Sequence, residues 1–253
     1  VKQTRGRLLK LWEQHVLDRV PGRELMKYGF GNQLIYFLGK AGVRVLREED
    51  AESARARRRS AGLLLAHNAL LGEAMVKLSR SVNAARNDLA FRFWGEPSTY
   101  TQFTWENQTV KMRPDGRLAL FGRSTAASCT DNELIFFVEF DTGTRPVDSY
   151  TSKVKQYELY KQRGEWKNHF STFPAVLVVT WASVSPSRED ADKRRREAAL
   201  RRRDRALDKV KEKSSGGPNR RTRWAFTTLD EIGSGRWKLL LPNDQVRTTD
   251  LLG

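Results

Sequence analysis

Leu134-Ile135-Phe136-Phe137-Val138-Glu139-Phe140-Asp141 is an apolar run closed by two carboxylates two positions apart. A near-continuous apolar run is how a strand buried on both faces reads, the kind found inside an open sheet with helices packed against it. Side chains alternate along a strand, so Glu139 and Asp141 share one face, about 7 Å apart along the backbone. Upstream, Arg113-Pro114-Asp115-Gly116 opens another apolar run, Arg117 to Phe121. Downstream, Gly143 to Pro146 make a turn, and Asp148 or Ser149 can cap a helix reaching about Arg163. Its Tyr150, Val154, Tyr157 and Tyr160 recur at helical spacing, and it carries Lys153.

Outward from this centre, Leu63 to Leu78 is a strongly apolar helix interrupted by His67, Asn68 and Glu73. Thr99 to Glu106 and Val110 to Met112 read as a strand and its turn. Ala175 to Trp181 is a second continuous apolar strand, and Arg223 to Thr228 and Trp237 to Leu241 are further strands. The predicted fold class is α+β, with an α-β-β-β-α-β core around a mixed sheet. At the amino terminus, Arg5 to Val20 has helical apolar spacing, Pro21-Gly22 breaks it, Asn32 to Phe37 reads as a strand and Leu38 to Leu46 as a short helix. Helix, turn, β-ribbon and helix form the back half of a winged helix-turn-helix, in which the helix before the ribbon enters the major groove. Arg5, Arg7 and Lys10 are the DNA-facing candidates there. The chain opens at Val1 within an element, so the first helices of such a module are expected to be missing. The expected division is a partial winged helix over 1–48, an Arg-rich linker over 49–62 and the core over 63–253.

The formal net charge is +16 over 253 residues, which favours a polyanionic partner. Between residues 188 and 223 there are 15 Lys and Arg against 7 Asp and Glu, a surplus of 8 and half of the total. Most of this insertion, Asp192 through Lys213, reads as a solvated, charge-laced helix ending at Ser214 to Pro218, either a solvent-exposed insertion with no specific partner or an arm that grips phosphates. Its Arg194, Arg195, Arg196, Arg201, Arg202 and Arg203 are candidate phosphate contacts, because guanidinium groups match phosphate oxygens. Cys129 is the only cysteine, which excludes an intrachain disulfide and fits a reducing cytoplasm. One cysteine and three histidines argue against a zinc site. No apolar run approaches a membrane span, and no signal peptide is visible.

Asp115, Glu139 and Asp141 on neighbouring strands would repel one another unless a hard cation sat among their oxygens, and Mg2+ or Mn2+ suits such a donor set. A metal there polarises a phosphate and acidifies an attacking water, and Lys153 is placed to orient that water or to stabilise negative charge. Glu73 is a further acidic candidate. The bland alternatives are an ordinary Pro-Asp-Gly turn at Asp115 and strand-end acids paired with Arg145 and Lys153.

These residues resemble PD-(D/E)xK-type, restriction-endonuclease-like nucleases, and over about residues 5–182 the chain resembles the replication-relaxation family of bacterial plasmids and mobile elements. The matching stretches are Leu8-Leu9-Lys10-Leu11 through Leu17-Asp18-Arg19-Val20, Tyr36-Phe37-Leu38-Gly39-Lys40-Ala41-Gly42, and His67 with Glu73. Further on come Arg113-Pro114-Asp115-Gly116, Glu139 to Thr144, Lys153-Val154-Lys155-Gln156-Tyr157 and Phe173 to Thr180. The resemblance implies a winged helix, a nuclease-like core and a role in plasmid replication, relaxation or transfer. DNA is the implied partner, with a plasmid origin as its site, and a homodimer is an open arrangement. One departure is that the motif's lysine position holds Asp141, so Lys153 has to serve from the following helix. Three functions stand: a metal-dependent nicking endonuclease, a non-catalytic DNA-binding replication or regulatory factor, and a relaxase-like enzyme attacking phosphate through Tyr157 or Tyr160.

Overall fold

The computed structural model of the chain describes residues 2–21, 34–39, 41–42, 62–85, 88–96, 98–122, 133–182, 190–214, 222–241 and 244–250. They gather into two compact units, Val1–Leu70 with Ser183–Ala191, and Leu71–Ala182 with Asp192–Gly253.

In the first unit, helix α1 (Lys2–Glu13) leads to β1 (Leu17–Pro21), which pairs antiparallel with β2 (Leu34–Leu38). The helix predicted through Val20 therefore stops at Glu13. Pro21 disfavours helical backbone at Val20, and His15 turns the chain with a left-handed φ of 57°. The Arg19 guanidinium lies 3.6 Å from the Trp12 ring centroid, fastening β1 to α1. Gly39 donates its N–H to the Val16 carbonyl at 2.8 Å, and a Cβ there would collide with the His15 carbonyl oxygen. Of the short helix predicted over Leu38 to Leu46, Ala41 and Gly42 are helical, whereas Leu38 ends β2. Lys40, residues 43–46 and residues 49–61 of the linker predicted over 49–62 lie outside the described residues, and Gly62 opens the next helix.

The second unit is built on a seven-stranded sheet. Its strands are β3 (Leu89–Gly95), β6 (Gly116–Gly122), β7 (Leu134–Asp141), β8 (Ala175–Thr180), β9 (Trp224–Thr228), β10 (Arg236–Leu240) and β11 (Val246–Asp250), and their spatial order is β11-β10-β9-β8-β7-β6-β3. The pairs β7–β8 and β8–β9 are parallel and the others antiparallel, so the predicted mixed sheet is present. Helix α3 (Ser149–Arg163) joins β7 to β8, and α4 (Ala191–Lys213) joins β8 to β9. Two successive right-handed crossovers running the same way along a sheet put both helices on one face. Tyr150, Val154 and Tyr157 of α3 and Ala206, Leu207 and Val210 of α4 accordingly share a core with Phe137, Val176, Val178 and Phe226. Helix α2 (Gly62–Ala85) buries Leu71, Ala74, Met75, Leu78 and Val82, and Lys77 donates to the Leu229 carbonyl at 3.4 Å.

Two expectations change. The strand beside β6 is Leu89–Gly95, not the stretch from Thr99 to Met112. That stretch forms a separate hairpin of β4 (Thr101–Trp105) and β5 (Gln108–Met112), whose Phe103 packs 5.6 Å from Tyr160 of α3. The charged stretch from Asp192 is helical as predicted but not solvated all round. Ala199, Arg202, Arg203, Ala206, Leu207 and Val210 are buried at spacings of three and four, two arginine stems filling the stripe where large apolar residues are lacking. Buried Thr180 ties β8 to this helix, its hydroxyl donating to the Ala199 carbonyl at 3.1 Å. Thr180→Val keeps the shape and loses that bond, so chemical unfolding should show a loss of about 1 kcal/mol.

Candidate functional site

Gly116 pairs with Val138 across β6 and β7, so in the continuing register Asp115 stands opposite Glu139. Both lie at the end of the sheet where the parallel strands finish, the usual place for ligand sites in open sheets carrying helices. The Asp115 Oδ2 accepts the Phe140 N–H at 2.7 Å. This replaces a ladder hydrogen bond where β6 has not yet begun, and it fixes Asp115 beside the acidic end of β7.

Glu139 is buried, with 6% of its surface exposed, and both of its oxygens are engaged. Lys153 Nζ lies 2.7 Å from Oε2, and the Tyr157 hydroxyl donates to Oε1 at 2.7 Å. Burial is the strongest influence on the Glu139 carboxyl and pushes its pKa up. The Lys153 charge opposes this, the Asp115 charge adds to it, and hydrogen bonds from Lys153 and Tyr157 oppose it again; the balance stays raised. Lys153 reaches Glu139 because it lies on the first turns of α3, one turn before Tyr157 on the same side.

Asp141 shares the face but has other partners. Its Oδ2 accepts Arg202 Nε at 2.7 Å and the Tyr150 hydroxyl at 3.0 Å, and its Oδ1 accepts the Gly143 N–H at 2.9 Å. Gly143 takes a φ of 76°, which lets the chain turn back over the carboxylate. Arg202 also donates to the Arg145 carbonyl, so a residue of α4 closes the turn that leaves β7. Nothing in the local sequence marks Arg202 for this role, since its partner is 61 positions away.

The structure thus brings Asp115, Glu139 and Lys153 together and joins Asp141 to them through shared packing on α3. Glu73, on α2, is exposed and pairs with Lys77 at 2.9 Å. Among the described residues no group of three or more His, Cys, Asp or Glu converges to hold a metal ion. Tyr157 and Tyr160 are 0% and 2% exposed, and burial is the main reason both hydroxyls are held above their ordinary pKa, which leaves neither suited to attack a phosphate. Tyr157→Phe removes a donor from a buried carboxylate and should cost about 1–3 kcal/mol in urea unfolding.

Among the predicted phosphate contacts, Arg5, Arg7 and Lys10 are exposed on α1, and Arg194, Arg196 and Arg201 on α4. Arg195 is half-buried, 3.5 Å from Asp230. Arg202 and Arg203 are buried, Arg203 pairing with Asp204 at 2.8 Å and Glu231 at 2.7 Å. Sequence reading passed over Arg117, which follows Asp115 on the same strand face, its guanidinium 4.2 Å from the Trp94 ring centroid.

Fold and site together define an α+β protein with a mixed-sheet core and a charge-compensated acid–lysine cluster at the carboxyl end of its parallel strands. A family model described as Replication-relaxation matches residues 1–176, and the chain belongs to the replication-relaxation family. No curated protein and no solved structure matches it. No helix among the described residues is long and apolar enough to cross a membrane.

Proposed function

We propose that the chain acts on plasmid DNA during replication or relaxation, and that its core nicks the DNA with Asp115, Glu139 and Lys153 as the working residues. The observation that supports this most is the meeting of two carboxylates from neighbouring strands with the lysine of the following helix. Mg2+ commonly uses only one or two protein carboxylates and completes its octahedron with water and substrate phosphate. Asp115 and Glu139 suit Mg2+ or Mn2+ on that count, and a metal held there would polarise the phosphate and acidify a water. Tyr157 orients Glu139, and Lys153 supplies positive charge where negative charge develops. Asp141, held by Arg202 and Tyr150, keeps the turn after β7 in place. The +16 charge and the exposed arginines of α4 draw the polyanion in, while α1 and its ribbon supply a winged-helix contact through Arg5, Arg7 and Lys10. An origin sequence is the expected target, bound in the cytoplasm.

A second reading has an observation of its own: both Glu139 oxygens are satisfied inside the protein, as in a core that only binds. Supercoiled plasmid incubated with the protein, with and without Mg2+, separates the two. The nuclease reading expects metal-dependent conversion to open circles, and the binding reading expects retardation with no scission.

A further inference from the structure

The hairpin of β4 and β5 has two unlike faces. Thr101, Phe103 and Trp105 turn inward with Val110 and Met112, and Phe103 and Met112 are 4% and 1% exposed. The opposite face carries Gln102 and Thr104 on β4, paired with Lys111 and Thr109 on β5, all exposed. Tyr100 and Arg113 extend that ladder by one pair. Tyr100 keeps 39% of its surface exposed, its hydroxyl donates to Gln102 Oε1 at 2.6 Å, and the Arg113 guanidinium lies 5.1 Å from the ring centroid. The six outward positions hold two cations, one aromatic ring and no acid.

This face leads straight into the candidate site. Arg113 is separated from Asp115 only by Pro114, whose carbonyl accepts the hydroxyl of buried Thr99 at 2.9 Å. That bond pins the residue before Tyr100 to the residue before Asp115, so ring, guanidinium and carboxylate are held in a fixed relation.

We infer that the outward face of the β4–β5 hairpin binds single-stranded DNA, with a base stacked on Tyr100 and the adjoining phosphates on Arg113 and Lys111. The inference rests on the DNA-directed reading above and names the form of DNA that reaches Asp115. An exposed ring flanked by cations fits an unpaired strand, because duplex bases keep their faces stacked on one another, whereas an open strand offers both base and phosphate. Duplex DNA has no face to give Tyr100.

The test is fluorescence anisotropy with a labelled oligodeoxynucleotide, its duplex and the matching oligoribonucleotide, at one fixed salt concentration. Tyr100→Ala is expected to weaken binding of the single strand about fivefold or more, the low end of the range for losing one base–aromatic stack, with duplex binding within twofold. Tyr100→Phe should bind like wild type, since it loses the hydroxyl and keeps the ring. Arg113→Ala should weaken strand binding at that salt and, in a separate titration over a series of salt concentrations, flatten its salt dependence. The inference is overturned if Tyr100→Ala leaves strand binding within twofold, if Tyr100→Phe loses as much as Tyr100→Ala, or if the duplex loses equally. Ribonucleotide binding as tight as that of DNA overturns the choice of DNA. Wild-type nicking is measured in parallel. Strand binding that depends on Tyr100 without any nicking sinks the nuclease reading alone, and nicking without such binding sinks this inference alone.

Discussion

Asp115→Asn should lower Mg2+-dependent nicking of supercoiled plasmid by roughly 10²–10³-fold, the scale seen when one preorganised electrostatic group is removed from an active centre. The substitution is chosen for what it keeps. Asparagine still presents an oxygen to the Phe140 N–H that Asp115 accepts at 2.7 Å, so the junction of β6 and β7 stays closed while the charge is lost. Glu139→Gln should give a loss of similar size. The pair together should be little worse than either alone, because groups that act as a unit do not contribute additively. Open-circle formation is scored on agarose gels against time, with a chelator lane as baseline. Variants nicking at the wild-type rate would end the hydrolytic proposal and leave the binding one.

Arg202→Met tests the other end of the cluster. Arg202 and Asp141 are each 10% exposed at the side chain and meet at 2.7 Å. Removing one member of a buried pair strands the other, at a cost of about 3–5 kcal/mol. Urea unfolding followed by tryptophan fluorescence should show that loss, and Asp141→Asn placed beside Arg202→Met should recover part of it, since the stranded charge is gone. The same variant decides between two roles for Arg202. A phosphate contact would lose DNA affinity with stability unchanged, whereas the clamp described above loses stability first.

The site was legible where its signals are local. The apolar run ending in Glu139 and Asp141, the Pro-Asp-Gly opening of β6 and the Tyr-spaced helix with Lys153 each announce themselves within a few residues, and α3 follows the predicted span closely. The misread parts depend on distant partners. Leu89–Gly95 is an edge strand whose Arg92 interrupts the apolar pattern, and its place is fixed by pairing with β6. Thr99 to Met112 alternates well enough to resemble a sheet strand, but it pairs within itself and packs on α3. Leu17 and Val20 fit a helical period and a strand equally, and the partner β2 decides. Arg202 looked like surface charge because its composition is that of surface, while its neighbours at Ala199, Ala206 and Val210 draw it inward.

The clamp from α4 also bears on how this protein can be cut for the bench. The family's footprint ends at residue 176, just inside β8, whereas Arg202 and the parallel neighbour β9 come later in the chain. An expression fragment trimmed to the footprint would sever β8, strip the partner from Asp141 and bare a row of unsatisfied amides ready to recruit other chains. Useful fragments have to run to Asp250, the end of β11, the antiparallel strand that borders the sheet on that side.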